Sequence, residues 1–223
     1  MAAEPRSPSI RPSVPGDEAA LYRICLLTGD SGGDATALYR DPQLIGHVYV
    51  GPYAALEPEH ALVLADGDPA NGVSDGDAGL CGYAVGALDT AAFNARVRES
   101  WLPPLRARYP DPAGDPAGWS RDQRLMRVLH HPDDAFPLTL EPRLAPYPSH
   151  VHIDLLPRAQ GRGLGRSLLE ALLARLRDDG SPGVHLGVGS RNLRAIGFYQ
   201  HLGFARLFAA GEGGAVWMGK RLG

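Results

Sequence analysis

Apolar positions recur along this chain at two spacings, and the switches between them mark its elements. Residues 9–14 read as a short first strand. Pro15-Gly16-Asp17 then offers a helix start, with Ala20, Leu21, Ile24 and Leu27 following at helical spacing. Thr28 to Gly33 ends that helix in a glycine-rich loop. Residues 36–40 predict a short second helix, and 47–53 an extended segment. Residues 60–65 and 80–88 are apolar runs that predict two antiparallel strands, joined through a Gly/Asp-rich loop over 66–78. Phe93, Val97, Trp101 and Leu105 step by four through a helix over about 91–108. A loop follows over 109–118, then a helix over 120–129 with Ser120 as its cap. Residues 131–149 are proline-rich and read as mostly extended. The stretch 91–148 is thus expected as a helical insertion between two strands of one sheet.

The last third carries the sharpest pattern. His150-Val151-His152-Ile153-Asp154-Leu155-Leu156 is a strand closed by Pro157. Leu164, Leu168, Leu169, Leu172, Leu173 and Leu176 then form the apolar stripe of a long helix that ends at Asp178-Asp179-Gly180. Residues 183–188 are the next strand, so strand, helix and strand predict a right-handed crossover with parallel pairing. A helix over 192–201 and a closing hairpin from 203–208 and 215–218 complete the domain, which is expected to span 9–223 behind a flexible tail at 1–8.

Between the strand and the long helix lies Gln160-Gly161-Arg162-Gly163-Leu164-Gly165. Its glycines leave backbone N–H groups uncovered where a helix N-terminus carries partial positive charge, an arrangement that holds phosphate. A dinucleotide fold requires this turn after the first strand and an acidic strand end about 20 residues on. Here the turn comes late, and Asp179 sits at a helix end. A P-loop requires Gly-Lys-Ser/Thr, which is absent.

Composition narrows the classes. With 44% apolar and 21% charged residues the balance is globular, and the net charge of −3 gives no nucleic-acid footprint and no basic membrane patch. No 18-residue apolar run and no N-terminal apolar segment occur, which predicts a cytoplasmic protein. Cys25 and Cys81 lack metal or redox spacing and read as buried free thiols. No metal is expected; His130-His131 with Asp133-Asp134 reads as a solvated loop.

Residues 153–169 resemble the acyl-CoA motif of GNAT-type N-acetyltransferases, Q/R-x-x-G-x-G/A, through Gln160, Gly163 and Gly165. Asn192, Ala195 and Gly197-Phe198-Tyr199-Gln200-His201-Leu202-Gly203-Phe204 are similar to the family's second conserved segment. Gly51-Pro52-Tyr53, residues 57–64, 81–86 and Ser100-Trp101-Leu102-Pro103 are similar to the acetyltransferase-like domain at the C-terminus of animal O-GlcNAcase. The resemblance implies an α/β (α+β) GNAT fold, a mixed central sheet flanked by helices. It also implies acetyl-CoA as cofactor and direct transfer of acetyl to a small-molecule or protein amine, in a monomer or homodimer. The alternative within the same resemblance is a catalytically inactive acyl-CoA-binding or interaction module.

By the same resemblance, Leu155 and Leu156 supply backbone contacts to pantetheine. Gly161, Arg162, Gly163, Leu164, Gly165, Arg166 and Ser167 hold the pyrophosphate, with Gln160, Asn192, Ala195 and Phe198 completing the cofactor site. Tyr199 protonates the coenzyme A sulfur, while Asn192 orients pantetheine or caps its helix. Strand alternation puts His150, His152 and Asp154 on one face and Val151, Ile153 and Leu155 on the other. Asp154 is the first candidate for a general base or an amine anchor, and His152 the second. The acceptor pocket is expected from the first helices, the 51–53 region and the insertion, with Tyr53, Trp101, Tyr109 and Tyr147 as candidate lining.

Overall fold

The computed structural model describes residues 7–65, 79–135, 141–211 and 214–223. Its centre is a seven-stranded sheet in the order β1-β2-β3-β4-β5-β7-β6. The strands are β1 (Ser9–Pro12), β2 (Ala61–Ala65), β3 (Leu80–Ala87), β4 (Ser149–Leu155), β5 (Gly183–Gly189), β6 (Ala205–Ala209) and β7 (Ala215–Arg221). All neighbours are antiparallel except β4 and β5. The β2–β3 hairpin, the parallel crossover and the closing hairpin therefore form as the sequence pattern predicts. The loop expected over 66–78, and most of the tail at 1–8, lie outside the described residues.

The two faces of the sheet bury different clusters. Alternation sends Leu62, Leu64, Ala84 and Val151 to one side, and the register shift at Leu64/Ala65 adds Cys81; there they meet Leu168, Leu169, Leu172 and Leu176 of α8 (Leu164–Asp178), together with Ile196 and Tyr199. Ala61, Val63, Tyr83 and Val85 face the other side. They meet α1 (Glu18–Thr28), α2 (Leu44–Tyr49), α3 (Gly51–Leu56) and the helical stretch 90–108. That stretch is α4 (Thr90–Arg96), one π-helical turn at Val97–Trp101, and α5 (Leu102–Arg108). It is followed by α6 (Arg121–His130) and the short α7 (Pro132–Ala135). The helix α9 (Leu193–His201) packs beside α8. Ser120 caps α6 in a full capping box with Gln123, as expected. Cys25 and Cys81 are both buried and form no disulfide with each other.

Leu172 is fully buried at the middle of the α8 stripe. Leu172→Ala should lower stability by about 2–5 kcal/mol, the loss of transfer energy plus a cavity. Urea unfolding should show the midpoint falling with an unchanged slope.

Two local readings are corrected. Residues 47–49 and 51–53 are helical rather than extended, forming the end of α2 and the first half of α3. The two glycines that interrupt the apolar pattern are close-packing sites. A Cβ at Gly46 would lie 2.3–2.8 Å from the Tyr22 ring, and one at Gly51 would lie 2.3 Å from the Tyr22 hydroxyl. The predicted helix at 36–40 is one 3-10 turn, Thr36–Leu38, after which Tyr39 is extended. The expected extended run over 131–149 contains α7 and a 3-10 turn at Pro142–Leu144, with 136–140 outside the described residues.

Candidate active site

The parallel pair β4–β5 is joined only at Ser149↔Val184 and His150↔His185, after which the strands part. On its other edge β4 pairs with β3 along most of its length. Leu156 N–H donates to the Cys81 carbonyl at 2.8 Å, so strand alternation commits the backbone groups of even-numbered residues to β3. The groups of Ile153 and Leu155 therefore face the opening beside β5. Leu155 keeps only its N–H there, because its carbonyl accepts from Gln160 Nε2 at 2.7 Å. Leu156, expected beside Leu155 as a pantetheine contact, has its N–H on Cys81 and its carbonyl on Ala159 N–H.

Directly beyond this edge the chain turns into α8. Gly161 and Gly163 hold φ of +73° and +77°, which a side chain would strain, and a Cβ at either meets nothing within 4 Å. Gly163 occupies the cap position and has no side chain to accept from the first turn. The N–H groups of Leu164, Gly165 and Arg166 are left pointing out of the helix toward open space. A Cβ at Gly165 would meet the Leu155 side chain at 3.4 Å and Phe198 at 3.7 Å, so this glycine seats the helix against β4 and α9. Gln160 ties the turn together: its amide donates to Leu155, and its oxygen accepts from Arg194 at 2.7 Å. Arg162 is exposed, Arg166 pairs with Glu170 at 2.8 Å, and Ser167 Oγ reaches only back to the Gly163 carbonyl.

The polar face of β4 carries a linked set. Asp154 accepts from the Tyr83 hydroxyl and pairs with His152 Nε2 at 3.1 Å. Burial works against charge on His152, but the Asp154 carboxylate outweighs it, and the imidazole is held above its usual 6.5. His152 stacks with Tyr49 at 6.1 Å between ring centroids, and its side chain is 37% exposed. Tyr199 packs edge-on between Phe198 and Phe204. Its hydroxyl makes no hydrogen bond among the described residues, and burial, with the Asp154 charge added, raises it above 10.

Below this set, on the α1–α5 face, lies a cavity of about 300 Å³. Tyr49, Tyr53, Phe93, Trp101 and Trp217 supply aromatic wall, and His47, His150, His152 and His185 supply polar groups. Tyr53 donates to His150 Nε2 at 2.7 Å, with Thr90 on the other ring nitrogen at 2.8 Å. Burial and the neighbouring His185 and His152 push His150 down to about 3, so it is neutral and fully engaged.

The structure sets His152 and Asp154 on the open length of β4 that runs into the glycine turn, with Tyr199 packed on the α8 side of the sheet and near enough to feel the Asp154 charge. Asn192 stands apart from the reacting face: its side chain caps α9 by accepting from Ala195 N–H at 3.0 Å. Of the four aromatic candidates for the pocket, Tyr53 and Trp101 line it. Tyr109 is buried core and donates to Asp41, and Tyr147 packs against Gly183 and Gly219. His131 pairs with Asp111, His130 with the Tyr109 carbonyl and Asp133 with Arg98, while the Asp134 side chain lies outside the described residues. The Glu57–Glu59–His60 group is close enough for a metal, but Arg96 pairs with Glu57 and both His60 ring nitrogens are taken, by Glu57 and Asp179. Sequence reasoning missed Tyr83, His185 and His47. A single histidine inside the apolar run of β5 was the available signal for His185. Tyr83 was legible only through the β3–β4 register that sets it opposite Asp154.

Comparison with known proteins agrees with this layout. Residues 143–204, which hold β4, the turn and α9, match the Acetyltransferase (GNAT) family. The protein O-GlcNAcase of Rattus norvegicus is 31% identical over 195 residues, 87% of this chain, and the chain spans only 20% of that relative. A crystal structure named SsHAT superposes with a TM-score of 0.84 at 38% identity, covering 98% of this chain and 100% of its own. The acetyltransferase yncA of Salmonella typhimurium, solved with acetyl-CoA, shares the fold at a TM-score of 0.52 and 18% identity, covering 98% of this chain and 95% of its own. No helix among the described residues is long and apolar enough to cross a membrane. With matching motif, topology and near-complete superposition in hand, the chain is a member of the GNAT acetyltransferase family.

Proposed function

We propose that this protein binds acetyl-CoA and transfers its acetyl group directly to an amine. One observation carries the reading: the open edge of β4 at Ile153 and Leu155 runs straight into the uncapped N-terminus of α8. An extended row of backbone donors and acceptors ending on an anion site suits an extended amide arm that ends on a pyrophosphate. The residues present fit it, since the glycines leave the space in front of α8 clear. Ile153 and Leu155 would hold the arm, and the N–H groups of 163–166 the pyrophosphate. Arg162, exposed beside them, would add charge.

Acetyl-CoA, when bound, supplies an activated thioester; the chain supplies positioning and proton transfer. His152 Nε2 is tied to Asp154, which leaves Nδ1 to take the proton that the amine sheds as its N–C bond forms. Tyr199, uncommitted and held protonated, gives a proton to the sulfur as the C–S bond breaks. This makes His152 the base and Asp154 its orienting partner. Asp154 accepts from Tyr83 and His152 on one oxygen, Oδ2, which fixes the carboxylate against the imidazole. The Asp154 carboxylate also holds His152 toward its charged form, which has no lone pair to take a proton, and this favours a second reading, an acyl-CoA-binding module without transfer.

Amine-dependent thiol release should rise with pH through a midpoint above 6.5, because His152 must be neutral to act and Asp154 stabilises its charged form. Asp154→Asn should move that midpoint down, since burial then acts unopposed. An unmoved midpoint overturns the assignment to His152. Calorimetry showing no acetyl-CoA binding overturns the whole reading, and binding without thiol release leaves the module.

A further inference from the structure

Tyr83 is fully buried, yet its hydroxyl ends on the reacting set. It stands opposite Asp154 in the β3–β4 register, so the two side chains leave the sheet on the same face as His152. The hydroxyl donates to Asp154 Oδ2 at 2.5 Å, and His152 Nε2 lies 3.1 Å from that same oxygen. The Tyr83 ring also tilts against the imidazole at 6.0 Å between centroids, while Tyr49 stacks on it at 6.1 Å. The carboxylate is thus pinned from the core by a fully buried side chain, and the pinned oxygen is the one that touches the imidazole.

Two donors on one oxygen draw on the same negative charge. Bonded to the imidazole alone, the carboxylate would hold the His152 proton harder. The phenol weakens that hold and favours the neutral ring, the form that takes the amine proton. The other titratable neighbours of the pair are His150 on β4, Cys25 from α1, Tyr49 from α2 and Tyr199 from α9. Burial keeps that thiol and both phenols protonated, and burial with His185 and His152 nearby keeps His150 neutral. Arg98, in the wall of the cavity, is paired with Asp133. The Asp154 carboxylate is therefore the charge that acts on the imidazole, and Tyr83 is the group that tempers it.

Resting on the reading of His152 as the base, we propose that Tyr83 is a positioning residue for the transfer: through Asp154 it fixes where the His152 imidazole points and how readily that ring gives up its proton.

Amine-dependent thiol release would be followed against pH on the full chain, beside an NMR titration of the His152 ring resonance, assigned with His152→Gln. Tyr83→Phe removes one oxygen. It should lower kcat by about 10-fold or more with the KM for acetyl-CoA unchanged, because a loosened carboxylate no longer orients the ring. It should also raise the midpoint by about half a pH unit or more, the opposite direction to Asp154→Asn. In the Asp154→Asn background the same change should leave the midpoint in place, since the carboxylate that carries the effect is gone. Tyr83→3-fluorotyrosine, a stronger donor of nearly the same shape, should move the midpoint down, and it decides the proposal if Tyr83→Phe fails to fold. A merely structural tyrosine would change stability and leave the midpoint alone. An unmoved midpoint in a folded variant, or a shift that persists without the Asp154 carboxylate, overturns the proposal. Absence of thiol release from the wild type is a different failure, that of the transfer reading, and the ring resonance then still decides whether Tyr83 governs His152.

Discussion

Gly163→Trp should abolish coenzyme A binding while leaving the protein folded. Gly163 is the cap residue of α8, with φ of +77° and open space where a Cβ would lie. An indole placed there can only project over the first-turn N–H groups of α8, the groups assigned to the pyrophosphate. The backbone cost of a side chain at positive φ is about 1–2 kcal/mol, within what a domain of this size tolerates. The expected loss of affinity is at least about 100-fold, or about 2.8 kcal/mol. Gly163→Ala separates the two effects: it carries the backbone cost with only one methyl, so its melting temperature should match that of the tryptophan variant while its affinity falls far less. Calorimetric titration of both, beside thermal unfolding, checks this. Wild-type affinity in a folded Gly163→Trp would show that nothing binds in front of α8, and the cofactor assignment would fail with it.

The parts of the fold legible from sequence are those where one period dominates. The leucine stripe of α8 and the alternation of β4 each have a single solution, and the structure adopts it. The failures sit where packing overrides pattern. Gly46 and Gly51 break the helical stripe of 44–56 because Tyr22 presses against their backbones, and no local signal records a contact made by α1. The site divides in the same way. The glycine turn is local, so its residues could be named in advance. The Tyr83–Asp154–His152 set and the His150–His185 pair are made by register between distant strands. The sequence ranks Asp154 ahead of His152 because it directly precedes Leu155, and it does not show that Tyr83 already donates to that carboxylate.

Tyr199→Phe should leave folding and coenzyme A binding unchanged and lower thiol release by about 100-fold or more, the usual contribution of a general acid. The change removes one oxygen. The ring keeps its edge-on contacts with Phe198 and Phe204, at centroid distances of 5.3 and 5.6 Å. Because the hydroxyl makes no hydrogen bond among the described residues, its loss orphans no partner and adds no buried unsatisfied group. Few tyrosines in this chain allow so clean a test: Tyr22, Tyr53, Tyr83 and Tyr109 all have hydroxyls engaged with His47, His150, Asp154 and Asp41. The pH profile makes the test sharper. Burial, then the Asp154 charge, raise Tyr199 above 10, so the wild type should show no falling limb through neutral pH. The rising limb belongs to His152 and should survive the substitution at its original midpoint. A uniform drop across pH with that midpoint fixed is the signature of a lost proton donor beside an intact base. A rate within a few-fold of wild type would instead mean that water protonates the sulfur, and Tyr199 would then be a wall of the site rather than a participant.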